Sequence, residues 1–200
     1  NVSTVLISGY IFRTIQSENR RFIVGVHVPG DFVDLHSFAL KRLDHDVVAA
    51  GPITYGTVPH ERLRTALEER PRVARALWFA TLLDAAIHRK WIQMLEQLDA
   101  PRRIAHIFAE LWRRLEMVGL ADRDGFDTPL TQADLADMSG STAVHTNRAL
   151  RELRERGVAE FRRGRVVSAN RTALEDYADF AADYLYGEGQ LALDSRVFAI

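Results

Sequence analysis

The segment Thr131–Arg154 constrains the fold of this chain more than any other, because its residue spacing fits two short helices joined by a tight turn. The first predicted helix has an apolar stripe. Gly140 follows where the chain must reverse, since glycine takes a positive φ without steric cost. Ser141 or Thr142 can then cap a second helix. This order of residues is typical of a helix-turn-helix.

The second predicted helix has two unlike faces. The residues of one face recur with the 3.6-residue period of a helix, and this face suits packing on a core. The opposite face can enter a DNA major groove. These residues leave open the alternative of an ordinary helical hairpin whose outer face only meets solvent. The face predicted to be buried comprises Thr146, Ala149, Leu150 and Leu153. The predicted DNA contacts, including flanking residues suited to binding phosphate, are Thr131, Gln132, Ser141, Thr142, Ala143, Val144, His145, Asn147, Arg148 and Arg151.

The residues after this segment predict a wing. Residues 158–161 and 165–168 have the pattern of two strands, and Arg162-Arg163-Gly164 lies between them as a turn. From residue 143 to residue 165 the sequence has seven arginines and three glutamates, a balance that attracts phosphate groups. We therefore predict a winged helix-turn-helix that binds DNA, in a domain spanning 99–171.

The charge of the whole chain hides this basic region. Its 200 residues carry a net charge of −1, and the segment 172–200, which we predict to be a C-terminal tail, holds six acids and one arginine. The sequence has no cysteine, which excludes disulfides, thiolate metal sites and cysteine-held iron–sulfur clusters within it. No apolar run approaches the ~20 residues that cross a bilayer. We expect a cytoplasmic protein without membrane contact.

Residues 1–70 predict a β domain. Short strands at regular spacing, separated by turns, favour a β jelly roll. The chain opens without methionine and almost directly in a strand, so we expect this domain to be incomplete at its N-terminus. The predicted strands are Val2–Ile7, Tyr10–Ile15, Phe22–Val28, Asp46–Ala50 and Ile53–Val58.

A long helix is predicted over 71–98, opened by Pro71 and stopped by Pro101. Two series of residues in this helix each recur every seven positions and are offset by three, as the a and d positions of a heptad repeat are. Together they form a seam along which two copies could pair. The alternative is that this stripe packs on the chain's own β domain. Asp84 interrupts the stripe and needs a partner or a place where the helices separate. The predicted dimer seam consists of Leu77, Ala80, Asp84, Ile87, Trp91, Met94 and Leu98.

The order of parts, from β jelly roll through dimer helix and a hinge at Asp99 to a winged helix-turn-helix, resembles the bacterial Crp/Fnr family of transcription regulators. The resemblance implies an α+β fold, a sensor role for the β domain, and a homodimer on an inverted-repeat operator in double-stranded DNA. It implies no enzyme activity and makes RNA polymerase a further candidate partner. It matches Arg148 to an arginine that reaches a guanine edge. The motifs that carry it are Pro29-Gly30-Asp31-Phe32, Arg103-Ile104-Ala105, Thr131-Gln132-x-Asp134-Leu135-Ala136 and His145-x-Asn147-Arg148.

The chain departs from the family at the cyclic AMP site. Members that bind cyclic AMP carry Gly-Glu after the Gly-Asp turn and Arg-Ser about ten residues later, for the ribose hydroxyl and the cyclic phosphate. Asp34-Leu35 and His45-Asp46 stand in those places here, and a carboxylate repels a phosphate. We therefore expect no cyclic AMP binding in the usual manner, and we assign no cofactor or effector.

Three other interpretations stay open. The acids and histidines of one loop, Asp34, His36, Asp44, His45 and Asp46, could ligate a hard divalent metal, although their spacing fits no recognised motif and we predict neither a metal ligand nor a catalytic residue. His88 in the long helix could contact a haem or a partner helix, or be a plain surface or interface histidine. The winged domain could bind protein instead of DNA.

Overall fold

A computed structural model gives the structure of this chain and describes residues 2–18, 20–40 and 42–186. The predicted α+β class is confirmed: a β part comes first, a long helix follows, and a helix-turn-helix with a small sheet comes last. Residues 187–200 of the predicted tail lie outside the described residues. Among the described helices, none is both long and apolar enough to cross a membrane.

The β part consists of two antiparallel sheets. One pairs β1 with β5, and the other has β2 between β3 and β4. Alternate side chains point inward, and Leu6, Ile11 and Val33 form a small core of their own. The strands, which agree with the predicted ones to within two residues at each end, are β1 (Val2–Ser8), β2 (Ile11–Ser17), β3 (Arg20–His27), β4 (Asp46–Ala49) and β5 (Thr54–Pro59).

Two helices connect the β part to the rest. Helix α1 (His60–Glu69) is not among the elements predicted from the sequence, and only Leu63 in it is buried. The long helix α2 (Pro71–Gln97) begins at a proline, whose missing N–H costs nothing in the first turn.

The C-terminal unit is assembled around α3, whose side chains supply much of the main core. Asp99 caps α3 by accepting the Arg102 N–H over 3.1 Å. A three-stranded sheet in the order β6-β8-β7 flanks the helices. The elements are α3 (Ala100–Met117), β6 (Gly125–Asp127), α4 (Gln132–Ser139), α5 (Ala143–Glu155), β7 (Glu160–Arg162), β8 (Arg165–Val167) and α6 (Arg171–Tyr177).

Four of the seven residues of the predicted dimer seam pack within the chain, while Leu77, Ala80 and Asp84 are partly exposed. Its second half contributes Ile87, Trp91, Met94 and Leu98 to the main core, all at most 9% exposed. Trp91 Nε1 also donates to Glu110 Oε2 of α3 over 3.1 Å. The C-terminal part of the stripe therefore packs against this chain itself, and these four residues are not open to a second copy.

The segment after α6 also folds onto the C-terminal unit. Leu174, Ala178 and Leu185 are buried in the main core, and the Tyr184 hydroxyl donates to Glu110 Oε2 over 2.6 Å. Residues 172–186 of the predicted tail therefore pack on the C-terminal unit, because apolar and aromatic side chains lie between their acids.

Candidate nucleic-acid interface

The helix-turn-helix is built from two capped helices. Thr131 and Asp134 form a capping box at α4, in which the Asp134 N–H donates to Thr131 Oγ1 over 3.1 Å and the Thr131 N–H donates to Asp134 Oδ2 over 2.9 Å. Gly140 ends α4 with a φ of 65°, a left-handed conformation that a β-carbon disfavours. Thr142 caps α5 by accepting the His145 N–H over 3.3 Å. Local bonds therefore fix the turn between the helices.

Helix α5 has a buried face and an open face. Its inner side packs against the core around α3, while Val144 on the outer side is 77% exposed. Asn147 Nδ2 donates to Gln132 Oε1 over 3.3 Å, which joins α5 to the first turn of α4. Of the predicted DNA contacts, Ser141 is partly exposed, and those exposed to solvent are Thr131, Gln132, Thr142, Ala143, Val144, His145, Asn147, Arg148 and Arg151.

The wing lies beside this open face. β7 and β8 are joined by a tight turn in which Arg163 and Gly164 have φ values of 52° and 75°. β6 pairs with β8 from the other side. A shallow groove runs between α5 and the wing, and it is lined by Gln132, Asn147, Leu150, Arg151, Arg154, Glu160, Phe161 and Arg162.

Only part of the basic charge in this region is free. Arg165 is held by Asp122 and, over 3.0 Å, by Asp127, and the hydrogen bond from Arg165 lowers the pKa of Asp122. The sequence excess of arginine therefore overstates the charge available to phosphate. The arginines of 143–165 that pair with acids are Arg151, Arg156, Arg162 and Arg165, and those without an acidic partner among the described residues are Arg148, Arg154 and Arg163.

The Pro-Gly-Asp turn fastens the β part to α3. Asp31 accepts Arg114 Nη2 over 2.7 Å and the Val28 N–H over 3.0 Å, and Arg114 also donates to the Val26 carbonyl oxygen over 2.9 Å. Burial alone would raise the pKa of Asp31, but Arg114, His27 and the Val28 amide outweigh it and hold that pKa below its usual value. The carboxylate is therefore ionised and bound at neutral pH.

A second ion pair joins the β part to α2. Arg13 of β2 is 5% exposed and donates to both carboxylate oxygens of Asp84 at 2.7 Å. It also donates to the Val33 carbonyl oxygen over 3.3 Å. Asp84 thus finds its partner within the chain. His88 Nδ1, one turn further on, lies 2.8 Å from the carbonyl oxygen of Asp84.

The residues predicted at the sensor site are engaged in local contacts. Asp34 accepts the Thr4 N–H over 2.5 Å, so this carboxylate holds β1 in place. His45 Nδ1 lies 2.8 Å from Asp44 Oδ1, and its ring centroid lies 5.2 Å from that of His36. In the part of the chain that the structure describes, no group of three or more such side chains is arranged to hold a metal ion.

The similarities of this chain to known proteins agree with the helix-turn-helix geometry. The Crp-like helix-turn-helix domain family matches residues 102–177. The chain is also 30% identical over 169 residues to the transcriptional activator protein FnrL of Cereibacter sphaeroides, a match that covers 81% of this chain and 66% of FnrL. The chain belongs to the Crp/Fnr family of transcription regulators.

Other Crp/Fnr proteins give the same result. The nitrogen fixation regulation protein FixK of Bradyrhizobium diazoefficiens is 25% identical over 141 residues, covering 70% of this chain and 58% of FixK. The structure of FixK2 from Bradyrhizobium japonicum matches with a TM-score of 0.74 at 23% identity, over 90% of this chain and 89% of FixK2. A CRP-family regulator of Thermus thermophilus matches with a TM-score of 0.66 at 22% identity, over 90% of this chain and 89% of that one. The two solved structures support the fold of this chain. The chain spans less than two thirds of the length of FnrL and of FixK.

Sequence reasoning misses one part of this Crp/Fnr chain that touches the site. The hairpin of β2 and β3 packs on α4, and Arg20 and Arg21 at its tip contact the helix-turn-helix. The only signal in the sequence is two adjacent arginines beside a polar turn, which no periodicity connects to residues more than a hundred positions away.

Proposed function

We propose that this chain is a sequence-specific DNA-binding regulator that acts as a homodimer on an inverted-repeat operator. The observation that carries this proposal is the open face of α5, where Val144, Asn147 and Arg148 stand exposed on a helix that both caps and core hold rigid. A helix presented in this way fits a major groove, and the N–H groups at its start attract phosphate. Arg148 is free to reach a base edge, because no acid pairs with it among the described residues.

The dimer forms through the outer face of α2. This face carries exposed apolar side chains, with Trp78 at 60%, Leu82 at 48% and Ile92 at 68% exposure, and Ala85 lies between them. Their spacing of three, four and seven positions places them on one side of the helix, opposite the internal stripe of Ile87 and its neighbours. Two copies paired along this face would set two recognition helices about 34 Å apart, one helical turn of DNA.

The β part, over residues 1–70, acts as a sensor that does not take cyclic AMP in the usual manner. Asp34 is bound to the backbone of β1, and His45 and Asp46 stand where the family resemblance expects a phosphate-binding pair. The effector is unassigned.

The test of function is the sequence preference of Arg148→Ala. Duplexes selected by the native protein from a random pool define the operator, and affinities are then measured on that operator and on its single-base variants. Arg148→Ala should cost about 1–3 kcal/mol on the operator and lose preference at one base pair per half-site, because one bidentate guanine contact is removed.

The matched control is Arg154→Ala, since Arg154 is also exposed on α5 without an acidic partner among the described residues. Its loss should weaken binding to all sequences alike or leave it unchanged. If Arg148→Ala also weakened binding equally on every sequence, Arg148 would contact phosphate and its assignment as a base-reading residue would be wrong.

A further inference from the structure

The β2–β3 hairpin is fixed to the helix-turn-helix by an ion pair. Ser17 and Arg20 face each other where the two strands meet. Arg21, the next residue, donates from Nε to Asp137 Oδ2 over 2.8 Å and from Nη2 to Asp134 Oδ1 over 2.6 Å. The two acids lie one turn apart on α4, and Asp134 is 8% exposed. Because one guanidinium binds both acids, the start of β3 at Arg21 has a defined place on this helix.

Arg20 is placed differently, although it neighbours Arg21 in sequence. Its Nη2 donates to the carbonyl oxygen of Ser141 over 3.1 Å, and its guanidinium carbon lies 5.0 Å from the centre of the Phe22 ring. The side chain is exposed, and no acid pairs with it among the described residues. Arg21 binds both acids of α4, so Arg20 is the guanidinium at this end of the hairpin that stays open to a ligand.

Arg20 lies beside the start of α5. Ser141 directly precedes Thr142, the residue that caps α5. Arg20 therefore holds a positive charge and several unused N–H donors beside the first turn of the helix that carries the predicted base contacts. This charge comes from the β part, about 120 residues away along the chain, and extends the basic surface beyond the winged domain.

We propose that the β2–β3 hairpin is part of the DNA interface, with Arg20 binding a backbone phosphate next to the start of α5. This inference rests on the proposed function. Each strand of duplex DNA carries a charge about every 3.4 Å along the helix axis, so a strand that meets the capped start of α5 presents a further phosphate to a neighbouring guanidinium. A phosphate contact adds affinity without reading sequence. The contact also makes DNA affinity depend on how the β part is docked, because Arg21 holds the hairpin in place.

The experiment measures binding of the full chain to its selected operator and to a random-sequence duplex across a salt series. Arg20→Gln should weaken binding to both duplexes by the same factor, about threefold to tenfold for a dimer in low salt. The slope of log affinity against log salt should fall by about 2 per dimer, since each phosphate contact contributes about 0.9. Arg20→Lys keeps the charge and should restore most of the slope.

Two further variants make the result specific. Arg62→Gln removes the same charge from an exposed position on α1 and should leave the slope unchanged. Arg21→Gln releases the hairpin, so adding Arg20→Gln to it should cost less than Arg20→Gln costs in the native chain. Thermal unfolding of each variant checks that the chain still folds.

The outcomes separate this inference from the function on which it rests. A steep native slope that Arg20→Gln leaves intact would overturn the hairpin contact and keep the DNA-binding proposal. An equal loss of slope in Arg62→Gln would also overturn it, by showing a general effect of net charge. Failure of the native protein to bind either duplex would contradict the proposed function itself.

Discussion

At the scale of single residues, pairing with acids decides which arginines can meet a ligand. Arg148 and Arg165 belong to one basic stretch of sequence, but β6 and the loop before it bring Asp122 and Asp127 to Arg165 and bring no acid to Arg148. The candidate contacts on α5 could be predicted from the sequence because helical periodicity defines its faces. The neutralisation of Arg165 could not, because it depends on the pairing of a short strand that has no apolar pattern.

The partly buried pair of Asp31 and Arg114 gives a prediction for pH. The folded pKa of Asp31 is lowered, so its contribution to stability is present above the unfolded value of about 3.9 and is lost as the pH falls through the folded pKa. Asp31→Asn should lower the free energy of unfolding by about 2 kcal/mol at pH 7. Denaturant unfolding at pH 7 and below pH 4 should show this difference shrinking in acid. The exposed Asp124→Asn is the control, and a difference that stays constant with pH would contradict the role of the ion pair.

At the scale of elements, the helix boundaries are predictable where proline, glycine and capping residues mark them, as at Pro71, Asp99, Thr131 and Gly140. The element that packs against a given helix face is not predictable in this way. A heptad repeat in α2 predicts an apolar stripe but not what covers it, and the stripe around Trp91 is covered by α3 of the same chain. The apolar residues that stay exposed, Trp78, Leu82 and Ile92, lie outside the heptad repeat that defines the predicted seam.

The two faces of α2 predict opposite results for the same kind of substitution. Leu82→Lys places a charge on the outer face of each copy, so the dimer should dissociate while each chain stays folded, because like charges would meet in an interface with little water. Ile87→Lys buries a charge in the chain's own core and should lower the free energy of unfolding by several kcal/mol. Sedimentation and thermal unfolding together check this. A Leu82→Lys protein that stays dimeric would show that the outer face of α2 is not the interface.

At the scale of the whole molecule, a series of polar contacts connects the β part, α2, α3 and the C-terminal segment. Glu110 of α3 accepts hydrogen bonds from Trp91 of α2 and from Tyr184 of the C-terminal segment, and it lies 3.4 Å from Arg114. Arg114 continues the series to Asp31 in the β part. Burial and the neighbouring Glu110 carboxylate raise the pKa of Tyr184, so its hydroxyl stays a donor at any ordinary pH. A change at Asp31 in the β part can therefore reach α3, the helix against which α5 packs, through side chains in direct contact.

The last prediction concerns what this connected molecule senses. Arg13 is committed to Asp84, and Asp34 to the backbone of β1, so neither side chain is free for the cyclic phosphate or the ribose hydroxyl. Titration with cyclic AMP or cyclic GMP up to about 1 mM should give no saturable heat and change operator affinity less than about twofold. ATP serves as a non-cyclic control. Saturable binding in the micromolar range that also shifts operator affinity would contradict this, and would mean that another arginine, such as the exposed Arg42, binds the phosphate.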